Sequence, residues 1–216
     1  ESLRDALLWR VGILCPLAAL LYFVTPASYD WIWPINARFP LLALLFLVPL
    51  LPWTKGPRAL ALFASLSLLS AASFHQVGEA FQRFEAEEVG DLEGAIEVIP
   101  EGSKVVGLIF DRGSEQVRFS PFIHSAAWVQ TRRGGAAMFT FADFPQSPVR
   151  FREANRPPRV GPRWEWMPER VNPDRDLGWY EYALVRGGPG LIARSRSFEP
   201  IHRSARWSVW RRVPED

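Results

Sequence analysis

The chain has 216 residues, 48% of them hydrophobic, with 25 Lys or Arg against 23 Asp or Glu and a formal net charge of +2 at pH 7. That length suits one large domain or two small ones. Residues 1–74 carry only eight of the charged side chains (Glu1, Arg4, Asp5, Arg10, Asp30, Arg38, Lys55 and Arg58), and beyond them the signs balance at 20 each, which argues against the one-signed basic surface of a nucleic-acid binder.

Three apolar segments come first, and membrane-spanning helices are expected at about 7–24, 35–54 and 58–77. The charge-free cores of the second and third are short for about 20 residues of hydrocarbon crossing. Their flanks make up the length: Trp33 to Trp53 encloses 21 residues, and Trp31, Trp33 and Trp53 fall where aromatic rings favour the membrane interface. Pro16, Pro40 and Pro49 interrupt these helices, which a membrane bundle tolerates better than an exposed soluble helix does. Cys15, the only cysteine, lies in the first segment, so no internal disulfide can form. A buried helical hairpin of a soluble protein competes with the membrane reading. Arg4, Arg10 and the run Val11–Val24 before Thr25-Pro26-Ala27 also fit a signal peptide. Neither accounts for three such segments in succession.

Loop charges give an orientation. Arg4 and Arg10 precede the first segment, Thr25–Ala37 lacks Lys and Arg, and Lys55 and Arg58 lie between the second and third. Basic, neutral, basic places the N-terminus and the Lys55 loop in the cytoplasm and the chain beyond the third segment outside. The expected location is therefore the cytoplasmic (inner) membrane, multi-pass, with the bilayer as a partner and residues 81–216 forming an extracytoplasmic, periplasmic domain.

From Phe81 to Ile99 apolar residues recur among acids in a helical pattern broken near Gly90. Lys104–Phe110 (KVVGLIF) is a continuous apolar run of the kind that forms a strand covered on both faces. Ser120-Pro121 predicts a helix start, Gly134-Gly135 its end, and Ala136–Phe141 the next strand, giving a right-handed βαβ unit. Residues 145–178 form a Pro/Arg-rich loop, with seven prolines between Pro145 and Pro173. Trp179–Val185 and Ala205–Val213 supply two more strands. The expected class is membrane α-helical followed by a small α/β, loosely Rossmann-like domain, without the Gly-x-Gly-x-x-Gly that dinucleotide binding needs.

Candidate chemistry is sparse. Asp111 and Arg112 follow the first strand at its carboxyl end, where open α/β sheets bind ligands, although a solvated turn explains them as well. His75, His124 and His202 lack metal-ligand spacing, so no metal site is expected. His75 would emerge at the outer membrane surface. Arg132 and Arg133 close a helix, as cations there should, and can also take a lipid phosphate. Trp164, Trp166 and Trp179 can stack on sugar rings or pack the long loop onto the sheet. No Gly-x-Ser-x-Gly occurs, nor any cysteine nucleophile in the soluble part.

Ile35-Asn36-Ala37-Arg38-Phe39-Pro40 ahead of an apolar helix, the basic loop, the last helix, a short acidic helix and then Ile99–Asp111 (IPEGSKVVGLIFD) form a pattern over most of the chain. It resembles the C-terminal region of polytopic bacterial membrane proteins akin to GT-C-class, lipid-dependent glycosyltransferases. The resemblance implies sugar transfer from a polyprenyl-phosphate donor outside the membrane. It also implies that the catalytic carboxylate lies near the N-terminus of such proteins, at no position matched here; Asp30 sits in a later outer loop and does not take that role. The chain begins at Glu1 rather than Met, and the expectation is the non-catalytic end of a longer enzyme. Arg38, His75, Arg132 and Arg133 are then the candidates for phosphate contact, with no catalytic residue, cofactor or metal assigned. The alternative is a non-enzymatic, membrane-anchored domain or complex subunit that binds a partner protein, beside other membrane subunits.

Overall fold

The computed structural model describes residues 3–29, 35–50, 55–138, 140, 142, 147–153, 156–158, 163–188 and 190–214. The chain divides into two compact units, Glu1–Ala72 and Ser73–Asp216, and the division falls inside a helix.

In the first unit, α1 (Leu3–Val24) contains Pro16. A 3-10 turn, Asn36–Arg38, leads into α2 (Phe39–Leu47), which carries Pro40 in its first turn, where a missing N–H costs nothing. A second 3-10 turn, Val48–Leu50, follows. α1 lies against this turn at Gly12, where a Cβ would make ordinary contact with the Leu50 side chain at 3.8 Å. The third helix, α3 (Pro57–Arg83), has no Asp, Glu, Lys or Arg between Arg58 and Glu79. It continues through a wider π turn at Phe84–Val89. Among the described residues Pro57–Val89 is the one helix long and apolar enough to cross a membrane, and the shorter apolar helices are Trp9–Val24 and Asn36–Leu50. Helices thus stand at each expected segment, and one of them has spanning length. The expected end of the second at residues 51–54, with Trp53, lies outside the described residues, as do Asp30, Trp31 and Trp33.

The second unit is an α/β domain. Gly90, at φ 59°, stops the π turn, and α4 (Leu92–Glu97) follows. Five strands form one mixed sheet: β1 (Lys104–Ile109), β2 (Ala136–Ala137), β3 (Tyr182–Arg186), β4 (Phe198–Arg203) and β5 (Trp207–Arg212), in the order β2-β1-β3-β5-β4. β1 pairs in parallel with β2 and β3, whereas β5 is antiparallel to β3 and β4. The crossover from β1 to β2 runs through α5 (Ala126–Arg133), so the βαβ unit is present.

Strand alternation sorts the core into two layers. Val105, Ile109, Leu184, Trp207 and Val209 face Leu92, Ala95 and Ile96 of α4 and Val129 of α5. Val106, Leu108, Ala183, Val185 and Trp210 face Met138, Val171, Leu177, Tyr180 and Ile192. Burial on both faces is why β1 reads as an unbroken apolar run. Each fully buried aliphatic side chain contributes about 1.5–3 kcal/mol.

Several local expectations change. α5 begins at Ala126, not at Ser120-Pro121, because Phe122 turns inward to stack on Phe84 at 5.4 Å and meet Trp207 edge-on at 6.2 Å; the intervening residues form hydrogen-bonded turns. β2 pairs over two residues rather than Ala136–Phe141, of which 139 and 141 lie outside the described residues. The long loop contains short helical turns, α6 (Arg163–Trp166), Pro168–Arg170 and α7 (Pro173–Asp176); Pro145 and Pro162 lie outside the described residues. β4 has no counterpart among the expected strands: it is a half-exposed edge strand with Pro200 inside it and a register shift between Pro200 and His202.

α5 can lie this close to β1 only because residue 107 lacks a side chain. A Cβ on Gly107 would fall 2.9 Å from the Ala126 Cβ. Gly107→Ala should destabilise the chain by about 1–3 kcal/mol through overpacking. Gly113→Ala, where nothing lies within 4 Å, should change the thermal midpoint little. Equal midpoints for the two variants would show that α5 has room to move.

Candidate functional site

β1 and β3 run in the same direction, so their carboxyl ends share one edge of the sheet. Arg186, the last residue of β3, is 1% exposed there. Its Nε donates to the Asp111 carbonyl at 3.0 Å and its NH1 to the Glu88 carbonyl at 2.6 Å, while NH2 lies 3.6 Å from Asp111 Oδ2. The guanidinium sits over the Phe122 ring at 3.5 Å and the Trp207 ring at 5.1 Å. Burial pulls its pKa down from the ordinary arginine value; the Asp111 carboxylate opposes that, Arg206 adds to it, and Glu88 opposes it again.

The acids at this edge are also engaged. Asp111 Oδ2 is 3.9 Å from Arg206 NH1. Glu88 is buried, and its Oε1 accepts the backbone N–H groups of Glu115 and Gln116 at 3.1 and 3.2 Å. Trp207 Nε1 donates to the Val89 carbonyl at 2.6 Å. Arg112, the second residue expected here, donates through NH1 to the Trp166 carbonyl and covers the Trp166 ring at 5.7 Å. The sequence-predicted pair Asp111 and Arg112 therefore does meet at the carboxyl edge, but both side chains hold the protein to itself.

The other candidates lie elsewhere. Arg133 Nε donates to the Ile99 carbonyl at 3.0 Å, and the Arg133 carbonyl accepts from Gly102 N–H at 2.9 Å, which places the end of α5 at the amino end of β1. Arg132 pairs with Glu93 at 3.1 Å and lies over Trp128 at 5.9 Å. Six strand residues separate this pair from Asp111 and Arg112, about 20 Å at the usual rise. His75 stands one helical turn from Glu79 on α3, at 3.4 Å, and Arg38 is exposed at the end of its 3-10 turn in the first unit. Among the described residues no group of three or more His, Cys, Asp or Glu side chains could hold a metal.

Open space in the domain lies at the amino edge. A cavity of about 720 Å³ is lined there by Lys104, Gln130, Arg150, Phe151, Arg152 and Trp179, together with small residues of the 102–147 region. Among the described residues its lining contains three cations and no carboxylate. Lys104 opens β1, Trp179 leads into β3, and Arg150 and Arg152 come from the long loop, pinned where Ser147 Oγ donates to the Val149 carbonyl and accepts its N–H. Trp179 was legible as one of three tryptophans able to stack on a ring or pack the long loop onto the sheet. Lys104 was hidden as the first residue of an apolar strand, and the Arg150-Phe151-Arg152 run, two arginines flanking an aromatic, was the signal available for the rest.

His124 adds a titrating contact. Its Nδ1 meets Glu165, whose side chain is 5% exposed, and so ties α6 to the turns before α5. The hydrogen bond to Glu165 raises the His124 pKa from 6.5, partial burial opposes it, and the charge on Glu165 raises it further. A raised folded pKa means that the stabilisation is complete below about pH 6.5, the unfolded value, and is lost as pH climbs through the folded one. The thermal midpoint of the chain should exceed that of His124→Gln most at about pH 6, the gap closing toward pH 9. A gap independent of pH would show that the contact carries no proton.

Comparison of the chain with protein-family models, with curated proteins and with solved structures returns no match.

Proposed function

We propose that the chain is a membrane-embedded, C-terminal portion of a protein resembling GT-C-class glycosyltransferases, with its α/β unit outside the cytoplasmic membrane and serving binding rather than bond cleavage. The observation that carries the membrane part is the outward-facing apolar surface of the first unit. Phe23 is 80% exposed, Leu44 61% and Phe63 71%, on α1, α2 and α3 in turn. Water penalises apolar patches of that kind, and lipid does not. The apolar stretch of α1, Trp9–Val24, is shorter than the roughly 20 residues of a full crossing and needs the preceding turns of the same helix to complete one. α2 with its two flanking turns is shorter and would need its aromatic flanks to complete a third span.

The glycosyltransferase part is supported by the resemblance through Ile35–Pro40 and Ile99–Asp111. In this reading a polyprenyl-phosphate-linked sugar is the ligand, Arg38, His75, Arg132 and Arg133 are its candidate phosphate contacts, and other membrane subunits supply the rest. A non-enzymatic membrane subunit is the second reading, favoured by the mutual pairing of Asp111, Arg186, Arg206 and Glu88, which leaves the usual ligand edge filled.

Topology tests the first claim. In a Cys15→Ser background, Glu97→Cys should react with a membrane-impermeant maleimide in intact bacterial cells, and Lys55→Cys only after permeabilisation. The reverse pattern, or a chain that is monodisperse without detergent, removes the reading. The choice between enzyme part and subunit is tested in nanodiscs: Arg132→Ala with Arg133→Ala should weaken binding of a polyprenyl-phosphate analogue about tenfold, the loss of one or two charge-assisted contacts. Unchanged affinity leaves the two arginines as helix-ending residues and favours the subunit.

A further inference from the structure

We propose that the cavity at the amino edge of β1 and β2 binds a phosphate monoester of a ring compound. The inference rests on the second unit alone and stands whether or not the chain crosses a membrane. At about 720 Å³ the cavity falls within the roughly 300–1,000 Å³ typical of small-molecule sites. Charge selects the ligand class. Among the described residues Lys104, Arg150 and Arg152 border it without a lining carboxylate, and none of the three is in an ion pair. Some arginines of the unit are paired instead: Arg132 with Glu93, Arg175 with Asp176 and Arg186 with Asp111. Glu181 turns its Oε2 to the backbone N–H of Lys104 at 2.9 Å and lines a separate, neighbouring cavity. Two guanidinium groups and an ammonium around one concavity match a phosphate dianion, which accepts several charge-assisted hydrogen bonds at once.

The walls account for the ring. Trp179 is half-buried, braced edge-on by Tyr180 at 5.1 Å, and carries the Lys104 ammonium at 5.0 Å from its ring centroid. Phe151, also half-buried, stands between the two arginines in sequence. Two aromatic walls beside the cations give a ligand an apolar surface to lie on while its phosphate is held. Gln130 and Thr140 supply polar groups along the same lining, the Gln130 amide also donating to the Gly135 carbonyl at 3.3 Å.

Titration calorimetry on the full chain in detergent, with glucose 1-phosphate, inorganic phosphate and glucose as probes, tests the site. Glucose 1-phosphate should bind, more tightly than inorganic phosphate and more weakly as salt is added, and glucose should not bind. Lys104→Gln should weaken glucose 1-phosphate about tenfold. Arg150→Gln with Arg152→Gln, both on an exposed loop and without a role in the core, should do the same with an unchanged thermal midpoint. Trp179→Leu should abolish the preference over inorganic phosphate. The proposal is overturned by absence of binding at millimolar glucose 1-phosphate, by equal affinity for glucose, or by an affinity that the loop double variant leaves intact.

Discussion

A single buried guanidinium organises the second unit. Arg186 reaches from the last position of β3 to the Glu88 carbonyl, to the backbone and carboxylate of Asp111, and onto the faces of Phe122 and Trp207. An uncompensated charge in that position would be several kcal/mol unfavourable, and the surrounding acceptors and ring faces offset the desolvation. The π turn after α3, the end of β1, the turn before α5 and β5 are thereby fixed to one atom group. The consequence for function is one of place. The carboxyl edge, where open sheets usually receive ligands, is occupied by the protein's own ion pairs, and the open space is at the opposite edge.

Much of the architecture was legible because local pattern and tertiary environment agree. β1 is covered on both faces and reads as KVVGLI without a polar break; the glycines at 90, 134 and 135 take positive φ where the helices end. Legibility failed where the partner is distant. Arg186 looks like the polar end of a strand, and only contacts 75 and 98 residues away make it the centre of the domain. Ser120-Pro121 is a good local helix start, overruled because burying Phe122 between Phe84 and Trp207 is worth more than a cap. β4 is half-exposed and contains Pro200, so it lacks both the periodicity and the composition of a strand.

The candidate site obeys the same rule. Asp111 and Arg112 are adjacent in sequence and easily noticed, and they prove to be joined to their own fold. Lys104, Arg150, Arg152 and Trp179 come from three separate stretches, and what unites them is a shared space whose described lining holds cations and no carboxylate. Charge balance over residues 75–216 conceals that local imbalance, because carboxylates elsewhere in the same stretch offset it in the total.

The two borders of the sheet share a property. β2 offers two residues for pairing, and β4 loses a donor at Pro200 and its regular register just beyond. A sheet bounded in this way presents no long row of free N–H and C=O groups on which a foreign strand could template. Edge-to-edge pairing with a foreign strand is thus disfavoured at both borders by backbone chemistry, without calling on the surface charges.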